Sequence, residues 1–301
     1  MSNELNFVFF GTPDVASETL QILKENGYTP SLIITSPDKP QGRKMIVTPP
    51  PVKVWAIENN IPYIQPEKIT QEEVWNVLRT LGSRDGDGQR KFSAENFSGE
   101  QNIPDLFLVV AYGKILGEDI LNMPKLGSVN IHYSLLPKYR GASPVESAIL
   151  NGETETGISI QKMKFKMDSG PIIAQEKVSI LSDEKASELR TRLIQIGGEL
   201  LVKTLPDFMD GKTEEVEQNE SEATFSKKIK KEDGLIDLSG DATANYNKFR
   251  AYANWPRTFF FKDDKRIIIT DAVLENGIFV IKKILPEGKK EIKWEEFNIS
   301  K

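Results

Sequence analysis

Six consecutive apolar residues, Leu106-Phe107-Leu108-Val109-Val110-Ala111, set the frame for the chain around them. A strand with one face in water would alternate apolar and polar. A continuous run needs cover on both faces, as in a parallel sheet with helices on each side. The start of the chain agrees. Asn6–Phe10 forms a short apolar run closed by Gly11-Thr12-Pro13; Val15, Thr19, Leu20 and Leu23 then recur at helical spacing before Gly27. Ser31–Thr35 reads as the next strand, so the order strand, tight turn, helix, strand opens a parallel α/β sheet. The turn lacks GxGxxG, so the argument for a dinucleotide is weak; Gly11 instead lets the turn approach a neighbour or ligand closely.

Further elements follow the same logic. Val52–Glu58, Glu72–Leu81, Glu118–Asn122 and Pro144–Asn151 read as helices, and Ile61–Ile64, Thr156–Lys162 and Gly170–Glu176 as strands. A long amphipathic helix starts at Ser182-Asp183-Glu184 and repeats Ala186, Leu189, Leu193, Ile196, Leu200 and Leu201. Ser36–Pro51 is rich in proline and reads as irregular chain. Residues 83–103, dominated by Gly, Ser, Asp, Gln and Lys, carry too little apolar surface for a core and read as a mobile loop.

The chemistry-bearing stretch is Ser128–Pro144, SVNIHYSLLPKYRGASP, which holds His132, the only histidine in 301 residues. A reaction needing a proton carrier near neutral pH has this one imidazole to use. Asn130 is a neutral amide able to donate to a developing oxyanion. If Val129–Tyr133 is extended, alternation puts Asn130 and His132 on one face. Pro137 ends the strand, and Lys138, Arg140 and Gly141 form a basic loop of the kind that carries substrate contacts. Asp168 sits in a turn-like Met167-Asp168-Ser169-Gly170 between two apolar segments. Spacing alone leaves open a structural histidine and an ordinary turn aspartate.

NIHYSLLPKYRGASP, with AILNGETETGISIQKM and MDSGPIIAQ, resembles the signature of the formyltransferases that use 10-formyltetrahydrofolate. FVFFGTPDVASETLQIL, TSPDKPQGRKMIVTPPPVKVWA, LVVAYGKIL, NESEATFSKKIKKEDGLID and the terminal LPEGKK extend the resemblance along the chain and point to the branch acting on methionyl-initiator tRNA in translation initiation. The resemblance implies an α/β fold: a Rossmann-like, mostly parallel sheet in a catalytic domain over 1–210, then a linker at 211–224. A small, shortened β-barrel of OB-like type follows over 225–301 as a tRNA-binding domain. It implies that Asn130, His132 and Asp168 are catalytic, with 10-formyltetrahydrofolate as formyl donor and no metal. The pterin of the folate is implied to lie against Val110, Tyr112 and Gly113 and the turn of Ser134, Leu135, Leu136 and Pro137. The tRNA is implied to meet Arg43, Lys44, Lys138, Arg140, Lys227, Lys228, Lys230 and Lys231. For residues 36–51 a surface loop stiffened by proline also fits, and residues 83–103 are an insertion relative to the family. Two other readings stand beside this one: an amino-sugar nucleotide formyltransferase, which shares the Asn-His-Asp group, and an RNA- or folate-binding protein without catalysis.

Composition bounds the rest. Without cysteine there are no disulfides or thiolate metal sites, and with a single histidine a zinc site would need unusual ligands. The N-terminus lacks the basic start and long apolar core of a signal peptide, and no apolar run approaches the ~20 residues of a membrane helix. These features fit a cytoplasmic protein, read here as a monomer. From Phe225 to Lys301 the chain carries 16 Lys+Arg against 12 Asp+Glu, a balance of +4 on a chain of formal charge −5. A mildly basic C-terminal piece suits a polyanion, and a plain solvated surface fits the charge equally well.

Overall fold

A computed structural model of the chain describes residues 5–42, 44–81, 83–84, 90–91 and 103–299. The chain runs β1 (Phe7–Gly11), α1 (Asp14–Glu25), β2 (Leu32–Ile34), β3 (Lys39–Gln41), β4 (Ile46–Thr48), α2 (Pro51–Glu58), β5 (Tyr63–Ile64) and α3 (Gln71–Leu81). The short pair β6 (Ser83–Arg84) and β7 (Arg90–Lys91) precedes β8 (Leu106–Val110), α4 (Glu118–Leu121) and β9 (Ser128–His132). Next come β10 (Arg140–Gly141), α5 (Pro144–Leu150), β11 (Glu155–Lys162), β12 (Ile172–Ser179) and α6 (Ala186–Met209). The C-terminal part holds β13 (Phe225–Ser226), α7 (Ala242–Ala251), β14 (Phe259–Lys262), β15 (Lys265–Glu275), β16 (Ile278–Pro286), β17 (Ile292–Lys293) and α8 (Trp294–Ile299). Two compact units result: Met1–His132 with Ile160–Ala174 and Gly197–Gln218, and Tyr133–Ser159 with Gln175–Ile196 and Asn219–Lys301.

The first unit is built on the central sheet, of strand order β12-β11-β9-β8-β1-β2-β5. Its neighbours from β9 to β5 are all parallel. β8 thus lies well inside the sheet, as its continuous apolar run requires. Val8, Phe10, Phe107 and Val109 pack on one face with Val74 and Leu78 of α3 and Leu121 of α4. Phe7, Phe9, Leu106 and Leu108, alternating with them, are buried on the other. Burying each such side chain contributes about 1.5–3 kcal/mol. Gly11 closes β1 where a Cβ would lie 2.6 Å from the Cβ of Ala16, so the expected close approach is to the chain's own helix.

Residues 36–51 depart from expectation. They carry a β3–β4 hairpin in which Lys39 pairs with Thr48, Pro40 with Val47 and Gln41 with Ile46. A two-stranded ribbon has only edge strands, and an edge tolerates Pro40. The β-branched run Ile46-Val47-Thr48 outweighs the prolines that argued for irregular chain. Of residues 83–103, expected as a mobile insertion, only β6, β7 and Ile103 are described, and β6 pairs antiparallel with β7; the remainder lies outside the described residues.

In the second unit the expected small barrel takes the form of a four-stranded antiparallel sheet, β14-β15-β16-β17. A separate core lies there, formed by Ile236, Tyr246 and Phe249 with Phe260, Ile267, Ile269, Ile281 and Ile284. β15 runs continuously over 11 residues, Lys265–Glu275. Helix α7 is unanticipated: its apolar spacing is weak, but Asp241 caps it by accepting from Ala244 N at 2.7 Å. Among the described residues no helix is long and apolar enough to cross a membrane.

Candidate active site

The parallel strands β1, β2 and β8 deliver their turns to one edge of the sheet. Thr12 Oγ1 donates to Tyr112 O at 3.0 Å and lies 3.1 Å from Ser36 Oγ, which joins the turns after those three strands. The carboxyl edge of a parallel sheet is the usual place for a ligand. β9 runs beside β8 with Asn130 opposite Val109, and His132 ends it at this edge.

Alternation along β9 works as expected. Asn130 Nδ2 donates to Val109 O at 2.8 Å, which fixes the amide while leaving its second N–H. His132 is buried, with Nδ1 3.6 Å from Asp168 Oδ2, a distance that suits an ion pair better than a hydrogen bond. Asp168 sits in the turn between β11 and β12 at φ +49°, a conformation that aspartate adopts more readily than most residues. Two glutamines hold it. Gln161, on β11, donates from Nε2 to Asp168 Oδ1 at 3.0 Å. Gln218 donates from Nε2 to Asp168 O at 2.9 Å and to Gly170 O at 2.7 Å. Gly170 is required there: a Cβ would meet Lys162 O at 1.7 Å. The structure thus brings together an amide N–H, an imidazole and a carboxylate. That set can steady a developing oxyanion and move a proton.

Gln161 and Gln218 are not among the residues singled out in the sequence. Gln161 had a signal: it continues the alternation of Ile158, Ser159 and Ile160 and, with Ser159, marks a polar face on a strand that turns out to be buried. Gln218 had none, because it falls in the acidic stretch Gly211–Thr224 read as a linker. That stretch is tied down: Val216 and Ile172 exchange two backbone hydrogen bonds, at 2.8 and 2.9 Å.

The residues expected around the pterin divide between the units. In the first, Val110 is the buried last residue of β8 and Gly113 is exposed at φ +80°. The Tyr112 ring packs edge-on to Phe10 at 5.5 Å in the core, and burial, with Glu73 adding to it, pushes the phenol up to about 12. In the second, Ser134–Pro137 is a fixed turn. Leu136 N donates to Ser159 Oγ at 3.0 Å, Ser159 Oγ to Ser134 O at 2.7 Å, and Gln175 Nε2 to Leu136 O at 3.1 Å. Leu135, Leu136 and Pro137 line a cavity of about 510 Å³ with Lys138, Tyr139 and Glu153.

Of the residues expected to meet tRNA, Lys44, Lys138, Lys227, Lys228, Lys230 and Lys231 are exposed, and Arg43 lies outside the described residues. Arg140 needs correcting. Its side chain is 0% exposed, and Nη2 donates to Glu220 at 2.8 Å, so the guanidinium is enclosed by protein instead of facing a phosphate. The pairing of β10 with β13 draws this loop inward.

Comparison with known proteins supplies the frame for these groups. The family described as Formyl transferase matches residues 5–205, and Formyl transferase, C-terminal domain, matches 228–279. A methionyl-tRNA formyltransferase of Thermotoga sp. (strain RQ2) is 41% identical over 275 residues, covering 91% of this chain and 81% of that protein. Among solved structures, the methionyl-tRNA formyltransferase from Clostridium thermocellum aligns with TM-score 0.59 at 17% identity, over 96% of this chain and 99% of that one. An N-formyltransferase from Helicobacter canadensis, in complex with folinic acid and dTDP-3-aminofucose, gives 0.63 at 20% identity, over 90% and 88%. The two structures share the fold with this chain. From the family matches and the identity to the Thermotoga enzyme, the chain belongs to the formyl transferase family.

Proposed function

We propose that this protein transfers the formyl group of 10-formyltetrahydrofolate to the amino group of methionyl-initiator tRNA, for translation initiation, acting as a monomer in the cytoplasm. The observation that carries the reading is the convergence of Asn130, His132 and Asp168 at the carboxyl edge of the sheet. The acceptor is supported by a relative of that activity, 41% identical over most of the chain. In this reading residues 1–210 perform catalysis, 211–224 lead out of that part, and 225–301 hold tRNA through Lys227, Lys228, Lys230 and Lys231.

The folate supplies a formyl carbon bound to a nitrogen that can leave. The residues around β8 fit such a group. Ala111 at φ +46° and Gly113 at φ +80° are both exposed, a turn at the strand end against which a flat heterocycle can lie. Val110, Tyr112 through its backbone and Gly113 would hold it. The second N–H of Asn130 donates to the formyl oxygen, where negative charge develops; loss of one such donor costs about 3–4 kcal/mol of barrier. His132 takes the proton from the attacking amine and returns it to the leaving nitrogen. Asp168 orients the imidazole and offsets its charge while the proton is held. Attack requires a neutral amine, and the amine of an aminoacyl ester is more acidic than lysine, so a useful fraction is free near neutral pH.

The test is incubation with 10-formyltetrahydrofolate and either charged initiator tRNA or an amino-sugar nucleotide, followed by mass measurement of each acceptor. The reading requires formyl gain on the methionyl-tRNA; gain on the sugar alone would refute it.

A further inference from the structure

Gln161 sits on β11, the sheet neighbour of β9, and is 2% exposed. Its Nε2 donates to Asp168 Oδ1 at 3.0 Å and lies 3.4 Å from Asn130 Oδ1. Its Oε1 is buried with no hydrogen-bond partner among the described residues. Exchanging the two ends of the amide would set an oxygen against the Asp168 carboxylate, so the partners fix this orientation. A buried amide with an unpaired acceptor works against folding. Its donor end reaches both polar groups that flank the imidazole.

We propose that Gln161 is a positioning residue for formyl transfer: one planar –NH₂ group spans Asn130 and Asp168 and sets their separation. The proposal rests on the reading of Asn130, His132 and Asp168 as the reacting group. Nε2 carries two hydrogens, one for each acceptor, so a single rigid group aligns both side chains. With Oδ1 held by Gln161, Asp168 presents Oδ2 toward His132 Nδ1, 3.6 Å away. The Asp168 backbone is already fixed by Gln218. Gln161 therefore governs what remains, the rotation of the carboxylate. On the other side, its contact with Oδ1 keeps the Asn130 amide turned so that Nδ2 faces Val109 O and the strand end.

The test uses Gln161→Met, which keeps the length of the side chain but removes both the donor and the buried acceptor, and Gln161→Leu as a second apolar shape. For Gln161→Met the expected result is a Tm close to wild type, because losing the hydrogen bond to Asp168 is offset by removing the buried unpaired acceptor. Its kcat should fall about 10- to 100-fold with KM for both substrates within about twofold, because alignment is used in the transition state. Gln161→Leu should lose kcat in the same way wherever it folds. His132→Ala, measured in parallel, separates this proposal from the reading beneath it. Wild-type kcat in Gln161→Met beside an inactive His132→Ala would overturn the positioning role and leave the reacting group standing. Wild-type kcat in both would overturn the reading itself. A lowered Tm in Gln161→Met, with kcat preserved in the folded fraction, would make Gln161 a structural residue and also overturn the proposal.

Discussion

At the scale of single residues, burial decides between roles that sequence leaves level. Arg140 and Lys138 stand two apart in one basic loop, yet the guanidinium is enclosed against Glu220 while the lysine is exposed beside Glu153, at 3.7 Å. The two should answer to different measurements. Arg140→Ala leaves a large cavity and should cost on the order of 3 kcal/mol in thermal or urea unfolding, without altering the salt dependence of tRNA binding in the folded protein. A normal Tm with a flattened salt slope would reverse the assignment. His132 shows the opposite case. A lone imidazole could have been structural, and what argues otherwise is the company it keeps, with a carboxylate at 3.6 Å on a positive-φ turn and an amide two residues away on the same strand face.

At the scale of elements, two segments carry separate parts of the proposed function. The β11–β12 turn carries Asp168, and Gly170 allows that turn to lie against Lys162 O. Gly170→Ala should displace the turn, lowering stability by about 1–3 kcal/mol and turnover together, as unfolding and steady-state kinetics would record. An unaltered kcat would show that the turn can move without disturbing the carboxylate. In the proposed function the exposed Lys227, Lys228, Lys230 and Lys231 act differently, through neutralised phosphates. Changing Lys227, Lys228, Lys230 and Lys231 to Ser should weaken tRNA binding and flatten its salt slope, with little change in the chemical step at saturating tRNA. An unaltered slope across a salt series would remove this segment from the tRNA path.

For the whole molecule, legibility follows from how local the signal is. The parallel sheet was readable because LFLVVA and the strand–turn–helix opening carry their own periodicity, and each became a buried element. Asn130 and His132 were readable because strand alternation alone puts them together. The hairpin at 39–48 was obscured because proline content masked a β-branched run that pairs across the ribbon. Arg140, Gln161 and Gln218 were unreadable for a different reason: their roles depend on partners 7 to 80 residues away in sequence. The central claim, that the chain moves a formyl group with His132 as proton carrier, is tested most directly by single-turnover transfer from 10-formyltetrahydrofolate to charged initiator tRNA. His132→Ala should bind both substrates and keep the wild-type Tm while its transfer rate falls by at least ~100-fold; a wild-type rate in that variant would rule out His132 as the proton carrier.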